Sequence, residues 1–225
     1  MPVIHANVPY ERATPRALEP LFVLSNASVF ALHAPAMLSA RVVLEGVDAL
    51  AAATRPLVFV TWHRFNFAAT AALRALPPRL RPTLVMHDGA ASRALTHEAS
   101  AWLGFETFVF HRRSTVPARA QLIDYVRATG RSIVNLPDSG GPYGVMKPGI
   151  LEVARACDAL VVPFAVAAQP ALTLGRTLRH VVPLPFARVT LCCGAPLDAG
   201  ATVDECQRAI DERIRECSDR GPARG

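Results

Sequence analysis

The chain has 225 residues, of which 51% are hydrophobic and 19% are charged. This length fits one domain with a full core, and the apolar fraction is too low for a protein with several membrane spans. The net charge of +6 favours an acidic partner, such as an anionic lipid, a phosphorylated cofactor, an acidic carrier protein or a nucleic acid.

The first forty residues carry no recognisable export signal, because the first twenty are polar and interrupted by prolines. The stretch Leu21–Leu38 is apolar, but Asn26, His33 and Pro35 break it well below the roughly 20 residues that a membrane span needs. We therefore interpret residues 1–40 as an N-terminal amphipathic helical segment. It would either pack on the domain or lie in a membrane interface.

From residue 41 to residue 217, apolar strand-like runs alternate with helical patterns. The predicted strands are Arg41–Val47, Leu57–Trp62, Thr83–Met86, Glu106–Phe110, Ser132–Leu136, Leu160–Ala167 and Arg188–Cys193. The predicted helices are Phe65–Leu76, Ser92–Leu103, Pro117–Thr129, Pro148–Cys157 and Thr202–Cys217. This order predicts an α/β fold: a single domain over residues 41–217, with a mostly parallel sheet flanked by helices. Residues 218–225 are predicted to be a disordered tail.

The five cysteines contain no C-x-x-C pair and are odd in number, which indicates a reduced, intracellular chain. Cys192 and Cys193 lie in an apolar strand-like run, so we expect them to be small core residues.

Three polar segments follow predicted strands. They are Trp62-His63-Arg64, His87-Asp88-Gly89 and the loop that starts at Pro137-Asp138. In open parallel sheets the ligand crevice lies beyond the carboxyl ends of the strands, so these segments form the candidate site.

His63 follows a buried strand and opens a helix, where an imidazole can act as a base near neutral pH. The alternative is a helix-capping or core histidine. Asp88 and Asp138 stand at other strand ends, and either could orient the His63 ring through its second nitrogen. Their alternative role is to form turns.

The loop Asp138–Pro148 has three glycines and the only lysine of the chain, Lys147. Successive glycine N–H groups and a lysine at a helix start favour an anionic ligand. We therefore predict substrate binding by residues around this loop and His63, namely Arg64, Ser139, Gly140, Gly141 and Lys147. Ser139 lacks the G-x-S-x-G pattern of a nucleophilic serine.

A basic cluster of His111, Arg112, Arg113 and Arg119 spans a predicted strand-to-helix junction. Arg112 and Arg113 could bind the phosphates of coenzyme A or the acidic surface of an acyl carrier protein, and a solvated basic face is the alternative. Aromatic residues do not alternate with these arginines, which argues against nucleic-acid binding.

Together these segments resemble the lysophospholipid acyltransferase superfamily (glycerol-3-phosphate acyltransferase-like proteins), and in particular its small bacterial branch of uncharacterised domain proteins. The resemblance runs from Val42 to Leu197. It rests on six motifs in order: Val43-Leu44-Glu45-Gly46, Leu57–His63, His87-Asp88-Gly89, Pro137-Asp138 to Lys147-Pro148-Gly149, Val161–Val166, and Pro183–Val189 with Gly194-Ala195-Pro196-Leu197.

The resemblance implies transfer of an acyl group from an acyl-CoA or acyl-carrier-protein thioester to a hydroxyl or amine, with no bound cofactor and no metal. His63 would take the proton from the acceptor. We therefore expect a cytoplasmic protein, either free or in peripheral contact with the inner face of the membrane.

Two departures from the family pattern stand out. The family has a carboxylate five residues after the histidine, where this chain has Ala68, and the arginine of the family's loop is absent. The missing arginine suggests a non-phosphorylated acceptor, either a lipid or a specialised metabolite. Ala68 leaves two alternatives open: a non-catalytic lipid- or acyl-carrier-binding protein, and a thioesterase-like hydrolase.

Overall fold

The computed structural model describes residues 4–5, 34–87, 100, 103–110, 116–139, 141–177 and 179–219. Its strands are β1 Ile4–His5, β2 Arg41–Glu45, β3 Leu57–Val60, β4 Thr83–His87, β5 Thr107–Phe110, β6 Ile133–Asn135, β7 Leu160–Leu174 and β8 His180–Cys193. Its helices are α1 Asn66–Leu73, α2 Ala118–Thr129, α3 Gly149–Ala156 and α4 Val203–Asp219, and residues 34–39 are also helical. Short 3₁₀ turns cover Asp48–Leu50 and His63–Phe65.

The strands form one sheet in the order β1-β5-β4-β6-β3-β7-β8-β2. Every neighbouring pair is parallel except β7 and β8, which are antiparallel. This mostly parallel sheet flanked by helices confirms the predicted α/β class. No helix in the described part of the chain is long and apolar enough to cross a membrane.

Strand β3 lies at the centre of the sheet, and all four of its residues are buried. Leu57 and Phe59 pack with the alanine-rich helix α1 on one face, whereas Val58 and Val60 belong to the core on the other face, with residues of α2, α3 and α4. Because successive strand residues point to opposite faces, a strand covered by helices on both sides must be apolar throughout. This explains the uninterrupted apolar run before His63.

The N-terminal segment is not helical at every described position. Ile4–His5 is a strand that pairs with Phe108 and Val109 of β5, so it extends the sheet, whereas residues 34–39 are helical. Residues 6–33 lie outside the described residues. At the other end, α4 continues to Asp219, so residues 218 and 219 belong to a helix and not to the predicted tail.

The helix predicted over Ser92–Leu103 falls almost wholly outside the described residues.

Cys192 and Cys193 are buried, as the apolar pattern predicted. Burial raises the pKa of the Cys193 thiol to about 12. The Cys192 sulfur lies 2.6 Å from that of Cys217 in α4, and this contact, together with burial, also raises the pKa of Cys192.

The β7–β8 hairpin is much longer than the pattern predicted. Strand β7 ends at Leu174 instead of Ala167, and β8 begins at His180 instead of Arg188. From Gln169 onward, β7 is exposed, so its sequence lacks the apolar alternation that reveals a half-buried strand. The prolines of this region normally indicate a strand end, and here they lie near a register shift between Gln169 and Ala171.

Gly46 directly follows β2, at a position where the backbone packs too closely on β8 to allow a side chain. Its φ is +71°, and a Cβ atom there would lie 2.4 Å from the carbonyl oxygen of Cys193 in β8. Both the backbone conformation and the close approach therefore require glycine.

Replacement of Gly46 by alanine should destabilise the fold by about 2 kcal/mol or more, since it adds backbone strain and a collision with main-chain atoms. Urea denaturation of the variant measures this loss. Gly200→Ala is the matched control, because a Cβ at Gly200 meets nothing within 4 Å. Equal stability of the two variants would contradict the constraint.

Candidate active site

His63 and Asp138 meet at the carboxyl edge of the sheet. His63 is the first residue of the 3₁₀ turn that follows β3 and leads into α1. Asp138 follows β6, which pairs directly with β3, and its side chain is buried with 1% exposure. Two of the three polar segments are thus brought together, as the parallel topology predicted.

The Asp138 carboxylate bridges two main-chain amides. Its Oδ1 accepts a hydrogen bond from the N–H of His63 at 2.8 Å, and its Oδ2 accepts one from the N–H of Gly144 at 3.0 Å. The first N–H groups of a helical turn lack partners within the turn and favour a negative charge. The expected contact with a ring nitrogen of His63 is replaced by this contact with its backbone. Asp138 therefore fixes where His63 lies through the main chain.

Helix α4 holds the same loop from the other side. The indole N–H of Trp62 donates to Asp211 Oδ1 at 2.9 Å, and the Gln207 amide donates to Asp211 Oδ2 at 2.8 Å and to the Gly144 carbonyl at 3.0 Å. The N–H of Met146 donates to Gln207 Oε1 at 2.8 Å. Through Asp138 and Gly144, a closed circuit of hydrogen bonds joins the end of β3, the loop and α4.

His180, at the start of β8, is the site residue that sequence reasoning missed. Its ring lies edge-on to the His63 ring, with 5.4 Å between centroids and an interplanar angle of 88°. The Phe67 ring packs against it at the same distance, 5.4 Å. The sequence pattern does not single out His180, because nothing in it indicates that the hairpin returns to the carboxyl edge of β3.

The environment of His180 favours its neutral form. Burial lowers the pKa of His180 below its usual value, and the neighbouring His63 lowers it further. A hydrogen bond to the main chain of His63 opposes these effects without reversing them. His180 is therefore an uncharged neighbour of the His63 ring at neutral pH.

The loop Asp138–Pro148 closes on itself. The Lys147 ammonium donates to the carbonyl of Ser139 at 2.8 Å, and the N–H of Gly141 donates to the carbonyl of Asp138 at 3.0 Å. Ser139 is exposed beside the buried Asp138. Ser139, Gly141 and Lys147 therefore lie in one folded loop with Asp138, and their binding of a substrate stays a prediction.

Arg64 is exposed, and its guanidinium lies over the ring of Phe65, 4.8 Å from the centroid. Arg119 forms an ion pair with Glu152 of α3. Asp88, Arg112, Arg113 and Gly140 lie outside the described residues, so their proposed roles remain predictions.

The same fold occurs in a solved enzyme. The 1-acyl-sn-glycerophosphate (LPA) acyltransferase PlsC from Thermotoga maritima superposes with a TM-score of 0.53, over 94% of this chain and 85% of that chain, at 16% sequence identity. The chain shares the fold of PlsC. No protein-family model and no curated protein matches the sequence. The likeness to PlsC thus confirms the architecture that the resemblance implied.

Asp138→Asn should lower the free energy of unfolding by about 1–3 kcal/mol, because an amide has one acceptor oxygen for two N–H donors and leaves one buried donor unpaired. Urea denaturation measures this change. Asp198→Asn is the control, since the Asp198 side chain is 82% exposed and should change stability little. Equal effects at both positions would argue against the bridge.

His180 should make stability dependent on pH. Because the folded state lowers the pKa of His180, the unfolded chain binds the proton more readily, and the free energy of unfolding should fall as the pH drops below about 6.5. In His180→Gln this contribution disappears, so its stability should fall less between neutral and mildly acidic pH. Urea denaturation across that range compares the two proteins, and parallel curves would refute the effect.

Proposed function

We propose that this protein is an acyltransferase that uses His63 as a general base. The donor is a thioester of coenzyme A or of an acyl carrier protein, and the acceptor is a hydroxyl or an amine. The observation that carries the proposal is the placement of His63 at the end of the central strand, with its amide bound to the buried Asp138, in a fold shared with PlsC.

In the proposed reaction the acceptor O–H or N–H attacks the thioester carbonyl. A ring nitrogen of His63 takes the proton as the new C–O or C–N bond forms. The tetrahedral intermediate then collapses, the C–S bond breaks, and the leaving thiolate receives the proton from His63. The imidazole returns to its neutral form, so no further reagent is required.

In this proposal, His180 and Asp138 together position His63, the role that a carboxylate five residues after the histidine would have. That position is Ala68, which is fully buried in the core. Asp138 fixes the main chain of His63, and His180 restricts its ring from the side. Because the lowered pKa keeps His180 neutral, it adds no positive charge that would make His63 a weaker base.

The loop Asp138–Pro148 is the proposed binding region for the polar part of the substrate. Ser139 is exposed and offers its hydroxyl, and Lys147 adds a positive charge just before α3. The loop lacks the arginine of the lysophospholipid acyltransferase pattern, so a non-phosphorylated lipid or metabolite is the proposed acceptor. Arg112 and Arg113 are the proposed contacts for coenzyme A phosphates or a carrier protein, whereas Arg119 already pairs with Glu152. Membership of the small bacterial branch is part of the same proposal.

His63→Ala should lower the rate of acyl transfer by about 10²–10⁴-fold, because no base then takes the proton from the substrate hydroxyl or amine. A mass-spectrometric screen of acyl-CoA and acyl-carrier donors with neutral and phosphorylated acceptors first identifies the product, and the variant is then assayed. The side chain of His63 is only partly buried, so the fold should persist and circular dichroism should be unchanged.

Arg215→Ala, at an exposed position of α4, is the control and should retain full activity. Turnover in His63→Ala would remove His63 from the mechanism. Saturable acyl-CoA binding without transfer to any acceptor would identify a binding protein. Release of free acid at a rate independent of acceptor would identify a hydrolase, and a preference for lysophosphatidate would refute the non-phosphorylated acceptor.

A further inference from the structure

The β7–β8 hairpin extends past the edge of the sheet that carries His63. Val60, the last residue of β3, pairs with Pro163, and β7 continues for the rest of its length beyond that point. The register shift between Gln169 and Ala171 interrupts the hairpin, and His180, at the start of β8, reaches the His63 ring. The outer part of the hairpin therefore lies beside the candidate active site.

Two half-exposed leucines share a face of the hairpin with His180. Leu174 pairs with His180 and Leu172 pairs with Val182. Directly opposed residues of antiparallel strands point to the same face, as do alternate residues along one strand. Leu172 and Leu174 are 48% and 50% exposed, so the face that carries His180 also presents an apolar surface.

Phe186 is held outward by an irregular segment of β8. The residues between Pro183 and Arg188 face the register shift, and Phe186 has a φ of +62° with 75% of its surface exposed. Its N–H donates to Ser39 Oγ at 2.8 Å, and that hydroxyl donates to the Pro35 carbonyl at 2.6 Å. A positive φ is strained for a bulky residue, and strain of this kind is typical of functional positions.

The charged residues of the hairpin segment itself are all of one sign. From Ala159 to Leu197 the sequence contains no Asp or Glu, whereas it contains Arg176, Arg179 and Arg188, all of which are exposed. Exposed apolar side chains beside arginines match the boundary between anionic headgroups and acyl chains. Guanidinium groups also bind phosphate oxygens in a bidentate way.

We propose that the hairpin docks the protein onto an anionic phospholipid surface. Leu172, Leu174 and Phe186 enter the headgroup–acyl boundary, and Arg176 and Arg179 bind lipid phosphates. The docking stands independently of the acyltransferase reaction. One consequence rests on the proposed function: an apolar acceptor passes from the bilayer to His63 along the face that carries Leu172 and Leu174.

Two other occupants fit the surface less well. A second copy of the chain would bring the arginines of two hairpins together, and like charges oppose such pairing. The arginines of the tip, and Pro170, Pro183 and Pro185 along the strands, also discourage edge-to-edge pairing of strands. An acidic protein surface would match the arginines, but it would not account for the outward-held Phe186.

Vesicle flotation of the full chain tests the docking. The probes are vesicles of phosphatidylcholine alone and vesicles in which about one third of the lipid is phosphatidylglycerol. Wild type should float with the anionic vesicles and much less with the neutral ones. Leu172→Ser/Leu174→Ser should lower the bound fraction about tenfold, and Arg176→Gln/Arg179→Gln should also lower it about tenfold.

Phe186→Gly separates docking from folding. Glycine adopts a positive φ without strain, so this variant should be at least as stable as wild type to urea and yet bind vesicles more weakly. Val116→Ser and Arg215→Gln, at exposed positions outside the hairpin, are the matched controls and should float like wild type.

Failure of wild type to float, or equal flotation of hairpin variants and controls, would overturn the proposal. A second contradicting result would be a wild-type protein that fails to bind vesicles and forms a concentration-dependent dimer in light scattering, when the leucine variants do not form this dimer. His63→Ala should float like wild type. A protein that floats but transfers no acyl group would refute the proposed reaction and leave the docking intact.

Discussion

The site depends on one buried carboxylate that accepts hydrogen bonds from two separate main-chain segments. Asp138 holds the amide of His63 on one side and the amide of Gly144 on the other. A buried charge is costly unless hydrogen bonds compensate it, so each of the three groups requires the other two. The strand end, the 3₁₀ turn and the glycine-rich loop are therefore joined through the hydrogen bonds of the Asp138 side chain to two main-chain amides.

This arrangement changes how the missing carboxylate at Ala68 is understood. A helix that packs its first turn into the core with alanines approaches the sheet closely, and Ala68 belongs to that packed face. Among the described residues, Asp138 after β6 and His180 at the start of β8 contact His63. Asp138 binds the backbone of His63, and the uncharged imidazole of His180 lies against the His63 ring. The described contacts with His63 therefore come from residues that are distant from it in the sequence.

From residue 41 onward, the sequence was sufficient for the order of the described elements and for the meeting of His63 with Asp138, because buried parallel strands carry long apolar runs and their carboxyl ends share an edge. It was insufficient for His180 and the outer hairpin. Exposed strand residues are not under a burial constraint, so Leu172 and Leu174 produce no periodic pattern. Asp138 was one of two candidates, with Asp88, for orienting the His63 ring, and it binds the His63 amide instead. Sequence indicates which segments converge and not which atoms of His63 a carboxylate reaches.

The circuit through Gln207 and Asp211 has a consequence for the order in which the molecule is assembled. A chain synthesised from its N-terminus exposes β3, β6 and the glycine-rich loop before α4 exists. Until that last helix docks, the carbonyl of Gly144, the amide of Met146 and the indole of Trp62 lack the partners that they have in the folded protein. The candidate site is therefore completed by α4, and a nascent chain that lacks this helix would hold Trp62 and the loop Asp138–Pro148 without these hydrogen bonds.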